Sequence, residues 1–146
     1  MRSATGHYGL TLGMIVPFML GALALADSGK GIGPVKDVSL EKIDVALVAR
    51  GKKVFTAKCS ACHKSEERYV GPALRGVTQR RKPEWIMNMI LNPAQMLEED
   101  ETAKGLLGEF MVPMTFQNIS QEEARAVLEY LREIDGKPAA PSKKKK

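Results

Sequence analysis

The chain predicts an all-α fold, and three observations carry that reading. Apolar residues recur at helical spacing in Leu47, Val48, Gly51, Val54 and Phe55, and again in Ala124, Val127, Leu128, Leu131 and Ile134. Ser120-Gln121-Glu122-Glu123 is a capping box that opens the second of these runs. No stretch alternates apolar and polar residues as a half-buried strand would. Hydrophobic residues make up 44% and charged residues 27% of the 146, enough for one globular domain and too apolar for wholesale disorder. Aromatic residues are only 5%, thin for a core filled by side chains alone.

The elements follow in chain order. Residues 1–26 contain no Asp or Glu, carry Arg2 near the start and are apolar or small from Leu10 to Ala26. Ala24-Leu25-Ala26 offers small residues where a signal peptidase reads. The segment is therefore expected to be a secretory signal peptide cleaved after Ala26, with a membrane anchor as the alternative. Residues 27–43 hold Gly29, Gly31, Gly33 and Pro34 and read as a flexible linker. A helix is predicted over 44–58, then a basic, Gly/Pro-punctuated segment over 59–82. A second helix starts with Pro83 in its first turn and stops before Pro93. Another short helix is expected over 98–108. The capping box starts the last, stopped by Gly136. Residues 137–146, ending in four lysines, read as a disordered tail. The folded domain is thus expected over 44–136.

Two cysteines exclude a disulfide scaffold and a four-cysteine metal site. No Gly-rich loop leads into a Lys-Ser/Thr pair, which excludes a Walker-type nucleotide site. The chemistry lies in Cys59-Ser60-Ala61-Cys62-His63, a C-x-x-C-H run and the attachment signature of c-type haem. Two thiols three residues apart can each add to one haem vinyl group, and the adjacent His then lies under the iron. A covalent porphyrin at the centre of the core would also account for the few aromatics. A dithiol redox motif normally follows a strand, and half a zinc site lacks its second pair. Beyond residue 26 there is one His, His63, so a second imidazole ligand from the same chain is excluded. Met87 and Met89 fall on a predicted helix and read as core. Met96 falls in a predicted loop. Met111 and Met114 flank Val112-Pro113 in an irregular stretch where a side chain can reach a ring face, and both stay open as sixth ligand.

From these residues the chain resembles the small class I cytochromes c of bacteria, over about 44–134. Gly51 and Phe55 look like that family's first-helix packing face, crossing the last helix at Val127, Tyr130 and Leu131. Gly71-Pro72-Ala73-Leu74-Arg75-Gly76 is similar to the family segment whose proline carbonyl accepts a hydrogen bond from the proximal histidine. The resemblance implies three to five helices around one covalent haem, His63 held by the Pro72 carbonyl, and Met114 as the sixth ligand, because Ser120 follows it at the family's spacing. It also makes Arg80, Arg81 and Trp85 candidates to contact a haem propionate, and Tyr69 a candidate to lie near the haem.

Charge is lopsided. Residues 50–82 carry ten basic and two acidic side chains, a net of +8; residues 84–135 carry three basic and eleven acidic, a net of −8. A haem edge on the basic side would steer towards an acidic redox partner; the alternatives are that the charges are solvated or that the two halves pair with each other. Nucleic-acid binding is not expected. The Lys tail is expected to make at most a weak contact with anionic lipid. The expected protein is a periplasmic monohaem electron carrier, monomeric and not an enzyme, between a respiratory donor and a terminal oxidase or reductase. The competing readings are a five-coordinate gas-binding or peroxidase-like haem protein, and a haem subunit of a larger respiratory complex.

Overall fold

The computed structural model describes residues 29–137. Its helices are α1 (Val45–Lys58), α2 (Val77–Arg80), α3 (Pro83–Leu91), α4 (Pro93–Glu99), α5 (Glu101–Phe110) and α6 (Gln121–Asp135). No strand occurs among the described residues. The expected signal peptide and the tail from 138 onward lie outside them.

The frame is the crossing of α1 and α6. Asp44 caps α1 by accepting hydrogen bonds from the Ala46 and Leu47 amides at 2.8 and 3.2 Å. The expected capping box of α6 is complete: Ser120 Oγ accepts from the Glu123 amide at 3.2 Å and Glu123 Oε2 accepts from the Ser120 amide at 2.9 Å. Two orphan donors at the helix start are thereby satisfied. Gly51 sits at the crossing because a Cβ there would fall inside the Ala126 carbonyl. One helical turn on, Phe55 meets Tyr130 with ring centroids 5.4 Å apart. Ala124, Val127, Leu128 and Leu131 supply the buried stripe of α6.

A fully buried carboxylate locks the crossing. Glu129 Oε1 accepts from the Asp44 amide at 3.1 Å and from Arg132 at 2.8 Å, and Oε2 accepts from Arg125. Burial by itself would raise this carboxyl; the Arg125, Asp44 and Arg132 donors outweigh it and hold the group below the ordinary carboxylate range.

Four expectations need correction. Residues 29–43 are no loose linker from their first described residue: they form a strap laid on α3 and α4. Fully buried Asn88 accepts from the Val35 amide and donates to the Val35 and Lys30 carbonyls, each at 2.9 Å. The Ile32 amide donates to Met96 Sδ at 3.0 Å, and the Val38 amide to Glu84 Oε1 at 3.0 Å. Gly31 and Gly33 provide close approach here, since a Cβ on either would strike Met96 or Asn88. The packed body therefore begins well before residue 44. Second, Pro93 both ends α3 and opens α4, and Asn92 serves as the C-cap of one helix and the N-cap of the other. Met96 is consequently a buried residue of α4, not a loop residue. Third, α5 is shifted to Glu101–Phe110 by its cap, Asp100, whose Oδ1 accepts from the Ala103 amide at 2.8 Å. Fourth, the helices number six among the described residues rather than three to five, one of them the four-residue α2.

Candidate functional site

A cleft of about 260 Å³ runs between the end of α1, the faces of α3, α5 and α6, and the loop before α6. Its walls are mainly apolar, with Leu131 of α6, Leu97 of α4 and Leu106 of α5 among them. The sequence-predicted attachment residues Cys59, Cys62 and His63 line one side.

The local chain explains why they face the same way. Cys59 is the C-cap of α1, and its carbonyl accepts from the amides of Cys62 and His63 at 3.1 and 2.9 Å. This tight turn brings both thiols and the imidazole to the cleft. The following segment then folds back. Gly71 N–H donates to the Cys62 carbonyl at 2.9 Å, Leu74 N–H to Lys64 at 3.1 Å and Arg75 N–H to Ser65 at 2.9 Å. That return places the Pro72 carbonyl 3.1 Å from His63 Nδ1. With Nδ1–H donating to that carbonyl, Nε2 keeps its lone pair for a metal. Gly71 lies over the ring, where a Cβ would stand 2.6 Å from His63 Cε1. Burial pushes the Cys59 thiol up to about 11, beyond what neighbouring Lys58 takes back, so it stays protonated at neutral pH.

The methionines separate. Met114 is half-buried and lines the cleft. Met111 is 79% exposed, in a left-handed conformation with φ 56°, and does not line it. Met96 is fully buried behind α3, with its sulfur already accepting from Ile32. Met89, read from its helical spacing as core, also lines the cleft from α3.

Arg80 and Arg81 both line the cleft. Their described hydrogen bonds go to the carbonyls of Arg75 at 2.9 Å and Arg80 at 3.2 Å, and neither forms an ion pair with a carboxylate among the described residues. They are placed by Asp135, which accepts from the amides of Gly76 and Thr78 at 2.5 and 2.9 Å and from the Thr78 hydroxyl at 2.6 Å, pinning the start of α2. Sequence reading missed Asp135; its partners lie 57 and 59 residues away and no local pattern marks them. Trp85 lines the cleft, but its Nε1–H is given to buried Asp100 at 3.1 Å. The indole N–H is thus committed inside the protein and is not the propionate donor the sequence suggested; its face lies under Arg81, 5.3 Å away. Tyr69 is 57% exposed beside Lys64 and does not line the cleft.

These residues suit a haem. Two thiols sit beside an oriented imidazole, a thioether lines the same apolar cleft, and two guanidinium groups with no carboxylate partner among the described residues lie on its wall. Gly71 leaves the imidazole the space it needs.

An all-helical body built around such a cleft defines a haem protein of the c type. The chain belongs to the cytochrome c family: the family model described as Cytochrome c matches residues 48–135. It is therefore a haem electron-transfer protein. It is similar to a cytochrome c from Rhodothermus marinus, with 48% identity over 73% of this chain and 93% of that one and a TM-score of 0.71. An engineered cytochrome c from the same organism is 46% identical over 75% of this chain and 96% of that one, with a TM-score of 0.72. The same engineered protein has been described bound to a carbene intermediate, with 46% identity and a TM-score of 0.69. A Synechocystis protein named cytochrome c-553-like is 39% identical over 44 residues, 30% of this chain, and the match spans 42% of that relative. No helix among the described residues is long and apolar enough to cross a membrane.

Proposed function

We propose that this chain is a periplasmic one-electron carrier that holds one haem c through thioethers at Cys59 and Cys62, with His63 and Met114 as axial ligands. The haem, when bound, supplies an iron that changes oxidation state by one electron. The protein's own residues keep that exchange free of rearrangement. The Pro72 carbonyl fixes the His63 ring, and the thioether of Met114 favours the reduced state more than a second imidazole would. Apolar walls on α3, α5 and α6 exclude water. Arg80 and Arg81 are the candidates to neutralise propionate charge. The observation that carries the reading is the single cleft lined by Cys59, Cys62, the Pro72-bonded His63 and Met114. The availability of Met114 disfavours the five-coordinate alternative, which also lacks a second histidine beyond residue 26.

The partner in this reading is a redox protein with carboxylates around an apolar contact. Val70 and Val112 line the cleft and are 38% and 50% exposed, and Arg80 and Arg81 supply the uncommitted positive charge. The two halves of the chain do pair in part, through Lys58–Glu123 and Arg68–Glu109. The carrier works as a monomer, with residues 1–26 removed after Ala26 and the Lys tail touching anionic lipid only weakly.

The test is expression with export and haem-maturation machinery. The expected product keeps its haem through acid–acetone extraction, loses one thioether in Cys59→Ser or Cys62→Ser by its pyridine haemochrome spectrum, and titrates as a reversible one-electron couple. Extractable haem, or a high-spin wild type that binds carbon monoxide without displacing a ligand, would refute the assignment.

A further inference from the structure

The loop that carries Met114 is tied at both ends by basic side chains from the haem-attachment half, and by little else. At its downstream end Lys58, the last residue of α1, donates from Nζ to the Asn118 carbonyl at 2.8 Å and lies 3.5 Å from Glu123 Oε2. Asn118 takes a left-handed conformation with φ 52°, and buried Ile119 follows it. At its upstream end Arg68 donates from Nη1 to Glu109 Oε1 at 2.8 Å and from Nη2 to the Glu109 carbonyl at 2.9 Å, with its guanidinium 4.0 Å from the Phe110 ring centroid. Between these ties, residues 112–119 make no backbone–backbone hydrogen bond among the described residues. The Gln117 amide turns back onto Thr115 within the same loop. Of residues 111–120, Ile119 alone is deeply buried.

We infer that Lys58 and Arg68 are positioning residues for Met114: two latches that set how often the thioether leaves the iron. This rests on the reading of Met114 as the sixth ligand. The reasoning is one of linkage. A loop without its own ladder of hydrogen bonds opens at a free energy set by its end contacts. An exogenous ligand that needs the position held by Met114 binds with an apparent affinity proportional to the fraction of open loop. Partly exposed charged contacts of this kind typically shift an equilibrium by a small factor, and the stacking of Arg68 on Phe110 adds a little more. Removing Lys58 should therefore raise the open fraction about fivefold. Removing Arg68, whose pair is more exposed, should raise it about threefold.

The experiment is carbon monoxide titration of the ferrous holoprotein, read by the Soret shift. Lys58→Met and Arg68→Met are compared with wild type, Lys53→Met and Met114→Ala. Lys53→Met removes a charge from an exposed position of α1 with no described partner. The expected result is apparent affinity raised about fivefold in Lys58→Met, about threefold in Arg68→Met and about fifteenfold in the double variant, with Lys53→Met like wild type and Lys58→Arg close to it. Thermal midpoints within a few degrees of wild type establish that the variants fold. Equal affinity in Lys58→Met and Lys53→Met would overturn the latch while leaving Met114 as ligand. Unchanged affinity in Met114→Ala would remove the ligand assignment, and the latch with it.

Discussion

The two sides of the haem cleft are built on opposite principles. On the histidine side the chain is over-determined. Cys59, Cys62, Lys64 and Ser65 all give their carbonyls to later amides, the Pro72 carbonyl fixes His63, and Gly71 touches the ring so closely that a methyl group has no place. On the methionine side the loop from 112 to 119 lacks backbone–backbone bonds, and its upstream helix α5 has open space beside Gly105 and Gly108. In the proposed function, covalent attachment and the orienting Pro72 carbonyl would fix one ligand for the life of the protein. The other is held by side-chain contacts that a few kcal/mol can open. The difference locates where variation is tolerated and where it is not.

The largest break is expected in the frame behind the histidine side. Gly51→Val drives a branched side chain into the α6 backbone at Ala126. It should cost about 4 kcal/mol or more, enough to abolish a cooperative denaturant transition. Next is Glu129→Gln, which leaves Arg125 and Arg132 without their buried carboxylate. A loss of about 3 kcal/mol in urea unfolding is expected. Its pH dependence has a fixed sign. The Glu129 carboxyl is held below the ordinary carboxylate range, so the stability it gives is present above that range and disappears as pH falls through the lower folded value. The variant should therefore lose less of its stability than wild type between about pH 5 and pH 3.

Gly71→Ala comes third. The added methyl meets His63, not a flexible chain end, so about 2 kcal/mol of stability should be lost. The proximal ligand should be displaced too, visible as a shift in the ferric Soret band. The smallest effect has the opposite sign. Gly105→Ala, in a helix with nothing near the added Cβ, should stabilise by about 0.5–1 kcal/mol. A stabilisation on the methionine side beside a loss on the histidine side would sharpen the contrast; equal losses would erase it.

Much of the frame was legible because its signals are local. Asp44, the Ser120–Glu123 box, Pro83 and the apolar spacing of α6 each act within a few residues. The attachment run was legible because thioether chemistry needs that spacing. What escaped depends on distant partners or on residues with two uses. Pro93 reads as a stop, and it is also the start of α4, which moved Met96 from loop to core. Gly31 and Gly33 read as looseness, whereas Asn88 and Met96 use their missing side chains to seat the strap. Trp85 read as a propionate donor because nothing in its neighbourhood announces Asp100, 15 residues on. Met89 faces the cleft although its spacing reads as core, since the cleft itself is part of the core until a cofactor fills it.

The central claim is that the less constrained side supplies the sixth ligand. The most direct test is the weak far-red thioether–iron band of the ferric holoprotein, recorded for wild type, Met114→Ala, Met111→Ala and Met89→Ala. The account predicts the band in wild type, its loss in Met114→Ala, and its retention in the other two. A band that survives in Met114→Ala and vanishes in Met89→Ala or Met111→Ala would contradict it.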